Sequence, residues 1–183
     1  MVRTPSQMID LGNVMPEFRL ENVVDGSSVS SKMFSGRIGL VLFICNHCPY
    51  VIRLMPAMAE ILNAQLGEDF AVVAISANDP QQYPADSPEH MKHFAHENKF
   101  EFPYLFDSTQ EIARRFGAVC TPDLFMYDAQ GRLVYRGQFD DARPSNQVPV
   151  SGNDVLNALK ALRAGLAVST EQTPSTGCSI KWR

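Results

Sequence analysis

The stretch Ile38-Gly-Leu-Val-Leu-Phe-Ile-Cys-Asn-His-Cys-Pro49 decides how this chain reads. From Ile38 to Ile44 the run is continuously apolar, without alternation. That is the pattern of a strand covered on both faces of a parallel sheet. The run leads directly into Cys45. Beyond Pro49, the residues Met55, Met58, Ala59, Ile61, Leu62 and Leu66 recur at helical spacing, so a helix is expected over much of 48–66. Cys45 and Cys48 therefore stand at a strand-to-helix junction, one turn apart.

That position carries chemistry. Backbone N–H groups at a helix N-terminus stabilise an anion, which favours a thiolate at Cys45. A free cysteine titrates near about 8.5, whereas comparable Cys-x-x-Cys sites fall to roughly 3.5–7.5. Cys48 is then placed to attack a mixed disulfide formed at Cys45 and release its partner. The same spacing also makes half of a zinc site, but a second ligand pair is missing. Cys120 and Cys178 lie far apart in sequence and form no second knuckle. A redox pair is the expectation and metal binding its rival. His47, between the two cysteines, can stabilise the Cys45 thiolate by a hydrogen bond or positive charge.

Working outward, Phe18-Arg-Leu20 and Val29 flank Asp25-Gly26, which predicts a hairpin. Residues 1–17 read as an extended lead-in. Phe70–Ser76 is a second buried strand, and Asn78 to Pro88 reads as a surface loop. Ser87-Pro88-Glu89 opens a helix with Ser as N-cap, burying Met91, Phe94 and Ala95. A short strand near Tyr104–Phe106 and a short helix over 109–116 follow. Asp123–Tyr127 and Arg132–Arg136 flank the turn Asp128-Ala-Gln-Gly131. Ser151-Gly-Asn-Asp154 resembles a capping box ahead of a last helix, and 165–183 reads as a tail. The order implies one domain over 1–183, an α/β architecture whose mixed central sheet has helices on both faces.

The chain has 183 residues and a net charge of −4, which gives no long-range attraction to nucleic acid or anionic membrane. No stretch approaches the roughly 18 apolar residues of a membrane span. Met1 to Asp10 carries one arginine and no apolar run, so a cytoplasmic location is the expectation. Four cysteines in a chain this long are too few for a disulfide scaffold.

Thr121-Pro122 directly precedes the strand Asp123–Tyr127, where a proline is tolerated and a cis bond costs little. Cys45-Asn-His-Cys48 after a buried strand, with Thr121-Pro122 before the hairpin strands, resembles the thioredoxin superfamily. Within it the chain is most similar to the redoxin branch that includes alkyl hydroperoxide reductase and thiol-specific antioxidant proteins. Met15-Pro-Glu-Phe18 with Asp25-Gly26, Arg136 to Asp141, and Pro174 to Trp182 also resemble an uncharacterised bacterial thioredoxin-like subgroup. The resemblance implies a thioredoxin-like fold with an N-terminal β-hairpin and a C-terminal tail. It further implies that Pro122 is a cis proline beside the redox pair and that Thr121 contacts an extended substrate.

Three departures stand out. Ile44 occupies the place of the tryptophan before the first cysteine of thioredoxins. Pro56 comes eight residues after Cys48, where thioredoxins carry the helix proline five after. The strand before the pair offers Gly39 and apolar neighbours but no carboxylate. A peroxiredoxin would carry threonine and proline where Leu42 and Ile38 stand, which argues against peroxide chemistry at Cys45.

Cys120 adjoins Thr121-Pro122 and reads as a small apolar residue in a buried turn, or as a further redox cysteine. Cys178 would join the pair if the tail folds back on Ile180 and Trp182. His90, His93 and His96 are spread around their helix and read as a solvated face. Asp140 and Asp141 with Arg143 read as a local ion pair. The expected activity is thiol–disulfide exchange on protein or small-molecule disulfides, without a cofactor and with a recycling reductant. The alternatives are a thiol-dependent peroxidase (an antioxidant role), or a copper- or zinc-binding chaperone that uses Cys45, Cys48 and His47 or Cys120.

Overall fold

The computed structural model describes residues 3–183. Strands β1 (Arg3–Pro5), β2 (Arg19–Asn22) and β3 (Ser28–Ser30) come first, followed by a short 3-10 turn over Ser31–Phe34. Then come β4 (Ile38–Phe43), α1 (Pro49–Leu54), α2 (Ala57–Asn63), β5 (Phe70–Ser76), α3 (Pro88–Glu97), β6 (Tyr104–Phe106) and α4 (Glu111–Phe116). The chain closes with β7 (Cys120–Thr121), β8 (Asp123–Tyr127), β9 (Leu133–Gly137), α5 (Asn153–Arg163) and β10 (Thr176–Ser179).

Seven strands form one mixed sheet in the order β3-β2-β6-β5-β4-β8-β9. β4 lies in its interior, parallel to β5 and antiparallel to β8. The reason is legible in its side chains. Leu40, Leu42 and Ile44 face one layer, with α1, α2, α3 and α5 packed over them through Leu54, Met58, Leu62, Met91, Val155 and Leu159. Val41 and Phe43 face the other, under Phe18, Phe34 and α4 residues Ile112, Ala113 and Phe116. Each such side chain, fully buried, contributes about 1.5–3 kcal/mol. Gly39 is the exception within β4: a Cβ there would sit 2.6 Å from the Phe34 ring, which fills the space instead.

The hairpin β2–β3 and the hairpin β8–β9 form where the turn residues predict them. Ser87 caps α3 as expected, its side chain accepting from His90 N. Several expectations change. First, the helix after Cys48 is broken: α1 ends at Leu54, Met55 is extended, and α2 restarts after a cis Met55–Pro56 peptide. A proline has no N–H to donate and pushes the preceding residue out of helical geometry, so the apolar periodicity continues across two helices.

Second, the lead-in and the tail are not merely extended. β10 inserts between β1 and β7 in a separate three-stranded antiparallel sheet, pairing Cys178 with Arg3 on one side and with Thr121 on the other. Third, the supposed surface loop 78–88 turns inward: Asn78, Asp79 and Asp86 are buried. Fourth, Asp154 does not close a capping box. Gly152 is the N-cap in left-handed geometry, while Asp140 Oδ2 takes the amides of Ser151 and Gly152 at 2.7 Å each and Asp154 accepts from Gln138. With Asp140 so occupied, Arg143 forms no ion pair with it and donates to the carbonyls of Asp140 and Ala142 at 2.6 and 2.8 Å.

Candidate active site

The chain leaves β4 at Phe43, and Ile44 N still donates to Ile75 O, so Cys45 emerges anchored to the sheet. Cys48 is the N-cap of α1, extended at φ −71° and ψ 122°, and Pro49 supplies the first helical residue. Facing the pair is the Thr121–Pro122 loop, whose peptide bond is cis. Thr121 touches both sulfurs. Its Oγ1 lies 3.3 Å from Cys45 Sγ, and its carbonyl oxygen lies 3.1 Å from Cys48 Sγ. Both cysteines are buried and unbridged.

The two thiols also hydrogen-bond each other, so the pair shares a proton and loses its two protons in separated steps. The hydrogen bond from Cys45, helped by those from Cys178 and the Val51 amide, pulls Cys48 down to about 5. Cys45 is pushed well above the ordinary thiol range by its bond to Cys48, by burial and by the charge of Asp86. The Thr121 carbonyl works against the anion on Cys48, since a carbonyl accepts from a thiol and repels a thiolate. These contacts favour the anion on Cys48 over Cys45, the reverse of the thiolate that the strand-to-helix junction predicts at Cys45, because Asp86 faces Cys45 while Cys45 and Cys178 both support Cys48.

Asp86 is a residue that sequence reasoning missed. Fully buried, its Oδ1 accepts from Asn46 N at 2.8 Å and its Oδ2 from Asn78 Nδ2 at 2.7 Å. His47 Nδ1 lies 2.7 Å from Oδ2, an ion-pair distance without the alignment of a hydrogen bond. His47 thus turns to a carboxylate as well as standing beside the pair. Its ring stacks on Tyr83 at 5.3 Å, and Lys181 from the tail lies over the far partner, 5.5 Å from the Tyr83 ring centre. Asn78 Oδ1 accepts from Lys181 N, which ties the Asp86 cluster to the tail. The one available signal was length, since 78–88 is long for a strand-to-helix connection and such loops often carry function.

Of the predicted residues, the structure brings together Cys45, Cys48, His47, Thr121, Pro122 and Cys178. Cys178 hydrogen-bonds Cys48, and burial pushes its thiol up to about 12. Ile180 is buried and Trp182 packs under Arg114, its ring centre 4.3 Å from the guanidinium. Cys120 turns elsewhere: its thiol donates to Pro122 O at 3.6 Å and pairs with Asp123, and burial raises it strongly. Asp123, the second missed carboxyl, is fully buried and raised well above the usual range by desolvation. The edge of Thr121 expected to meet a substrate is covered by β10. His90, His93 and His96 stay exposed; His90 bonds Ser87 and His93 pairs with Glu97. Among the described residues, the donors close enough to share a metal ion are Cys45, His47 and Asp86, within 4.8 Å of one another.

A dithiol at a strand-to-helix junction, faced by a cis-proline loop on a mixed sheet with helices on both sides, defines a thioredoxin-like protein. The chain belongs to the AhpC/TSA family, which residues 11–136 match. It is similar over its full length to an uncharacterised conserved protein from Geobacillus kaustophilus, with 44% identity, a TM-score of 0.97 and 97% of that chain covered. The fold extends to a thioredoxin-family thiol:disulfide interchange protein from Chlorobium tepidum TLS, with 21% identity and a TM-score of 0.65 over 84% of this chain and 98% of that one. A curated relative, the thiol-disulfide oxidoreductase ResA of Bacillus thuringiensis subsp. konkukian, is 21% identical over 72% of this chain and 71% of its own length.

Proposed function

We propose that the chain is a thiol–disulfide oxidoreductase in which Cys45 attacks a disulfide and Cys48 resolves the product. The observation that carries this is the double hold of Thr121 on both sulfurs, at 3.3 and 3.1 Å. It keeps two reactive thiols in mutual contact in a water-poor site. In the first step the proton shared by the pair passes from Cys45 to Cys48, and the Cys45 sulfur so freed attacks one sulfur of a disulfide RS–SR′, forming Cys45–S–R and releasing R′S⁻, which takes up a proton. Cys48 then attacks Cys45 Sγ and releases RS⁻, which takes up the second. The dithiol loses two electrons and two protons, and the substrate gains them. A small thiol or a protein dithiol returns the pair to its reduced form.

Within this reaction Asp86 is a positioning residue. It fixes the Asn46 amide and the His47 ring, and its negative charge opposes ionisation at Cys45. The nearly complete burial of Cys45, at 1% exposure, favours a small or locally unfolded disulfide over a rigid protein surface.

Insulin reduction in the presence of dithiothreitol tests the reading. Cys45→Ser abolishes turnover, and Cys48→Ser accumulates a mixed disulfide at Cys45. Turnover that survives both substitutions overturns the assignment. Peroxide consumption, run with Cys45→Ser as control, measures any antioxidant activity of the same pair. The reduction potential sets the direction: a value near about −270 mV marks a reductant, and one near about −120 to −180 mV an oxidant or isomerase.

A further inference from the structure

Three buried sulfurs meet at this site, and the reaction above uses two. Cys48 Sγ lies 3.1 Å from the carbonyl of Thr121, the residue that Cys178 faces across the β7–β10 pair, and Cys48 interacts with both Cys45 and Cys178. Cys178 arrives there by construction. β10 pairs Cys178 with Thr121, the same residue that holds Cys45 and Cys48, and Cys178 is 3% exposed. Gly177 makes the approach close enough, because its Cα lies against the Thr121 carbonyl where no side chain fits. Ile180 in the core and the backbone bonds of Lys181 to Asn78 and Asp79 hold the strand in place.

We propose that Cys48 alternates between two disulfide partners, and that Cys178 moves the oxidised bond to Cys48–Cys178 while freeing Cys45. This rests on the oxidoreductase reading of the Cys45–Cys48 pair. The step is redox-neutral. The Cys178 thiol gives up its proton, its sulfur attacks Cys48 Sγ, the Cys45–Cys48 bond breaks, and Cys45 leaves as a thiolate that recovers the proton. No external oxidant enters. The consequence is a protein that stores a disulfide beneath its tail and still presents a reduced Cys45 next to His47. It also bonds the tail covalently to the start of α1, locking β10 over the edge of Thr121 while the site is oxidised.

Peptide mapping separates the two bonds. Trypsin cuts after Arg37, Arg53, Arg163 and Lys181, so Cys45 and Cys48 share one peptide, 38–53, and Cys178 lies in another, 164–181. The full-length protein is oxidised with one equivalent of diamide, acid-quenched, alkylated and digested without reduction. The expected result is a population in which 38–53 is linked to 164–181 through Cys48, with alkylated Cys45. In Cys45→Ser, the same treatment leaves one alkylatable thiol, Cys120, where three stood before. The proposal is overturned if the wild type yields the Cys45–Cys48 bridge alone and monomeric Cys45→Ser keeps three free thiols. That outcome leaves the oxidoreductase reading intact, whereas the absence of both bridges removes both. Should Cys45→Ser fail to fold by circular dichroism, the wild-type cross-link decides by itself.

Discussion

Replacing Gly177 with alanine adds one methyl group to the tail strand, and the structure fixes what that methyl meets. Its Cβ would lie 1.9 Å from Thr121 O, 2.5 Å from Thr121 C and 3.1 Å from Pro122 N, all backbone atoms. None is the far end of a flexible side chain, and Pro122 stiffens the loop that carries them. Ordinary contact begins near 3.4 Å, so β10 has to retreat by about 1.5 Å. Overpacking of this kind costs about 1–3 kcal/mol, and each strand hydrogen bond lost with the retreat adds about 1 kcal/mol. A destabilisation of about 2–5 kcal/mol follows, or roughly 5–15 °C in melting temperature for a domain of this size. Urea unfolding of Gly177→Ala against wild type measures it. Gly12→Ala is the comparator: its methyl meets nothing within 4 Å, and only the positive φ of 86° opposes it, at about 1–2 kcal/mol. In Gly177→Ala the Cys178 thiol should also react with iodoacetamide in the native state. A variant within about 0.5 kcal/mol of wild type, with Cys178 still protected, refutes the claim that β10 is wedged against the cis-proline loop.

Burial raises the Asp123 carboxyl in the folded state, so the native protein binds that proton more tightly than the unfolded chain does. Its stabilising contribution is complete below the unfolded value, about 3.9, and is lost as pH rises through the folded value. Urea midpoints of Asp123→Asn relative to wild type should therefore shift in favour of the variant as pH rises from 5 to 8, and a pH-independent difference counts against it. Asp86→Asn removes a buried negative charge that faces Cys45, so the thiol should ionise at lower pH and be alkylated faster at pH 7; an unchanged pH–rate profile would remove Asp86 from the site's electrostatics. Phe116 packs against Phe18, Phe43, Phe125 and Tyr127. Phe116→Ala should cost about 3–5 kcal/mol in denaturant unfolding without altering the Cys45–Cys48 bridge.

Legibility in the sequence followed distance along the chain. β4 could be read from Ile38 to Ile44, because burial on both faces requires an uninterrupted apolar run. The cap at Ser87, the hairpins at Asp25-Gly26 and Asp128–Gly131, and the apolar face of α3 are likewise local signals. The break at Pro56 was also local, yet the periodicity on both sides concealed it. Asp86 was hidden for a different reason. A carboxylate in a polar, proline-bearing loop reads as solvated unless its partners are known, and those are the donors Asn46 and Asn78 with the His47 ring at ion-pair distance. Arg143 was misassigned in the same way, because nothing near it in sequence shows that Ser151 and Gly152 have already taken Asp140.

The buried strand β4, the junction that carries Cys45 and Cys48, and the Thr121–Pro122 loop are each encoded by neighbours within a few residues. Their surroundings come from the folded chain alone: Asp86 beside His47, and β10 laying Cys178 against Cys48. Those contacts join residues many positions apart, and they form because buried amides, carboxylates and strand edges must find partners wherever the fold brings them.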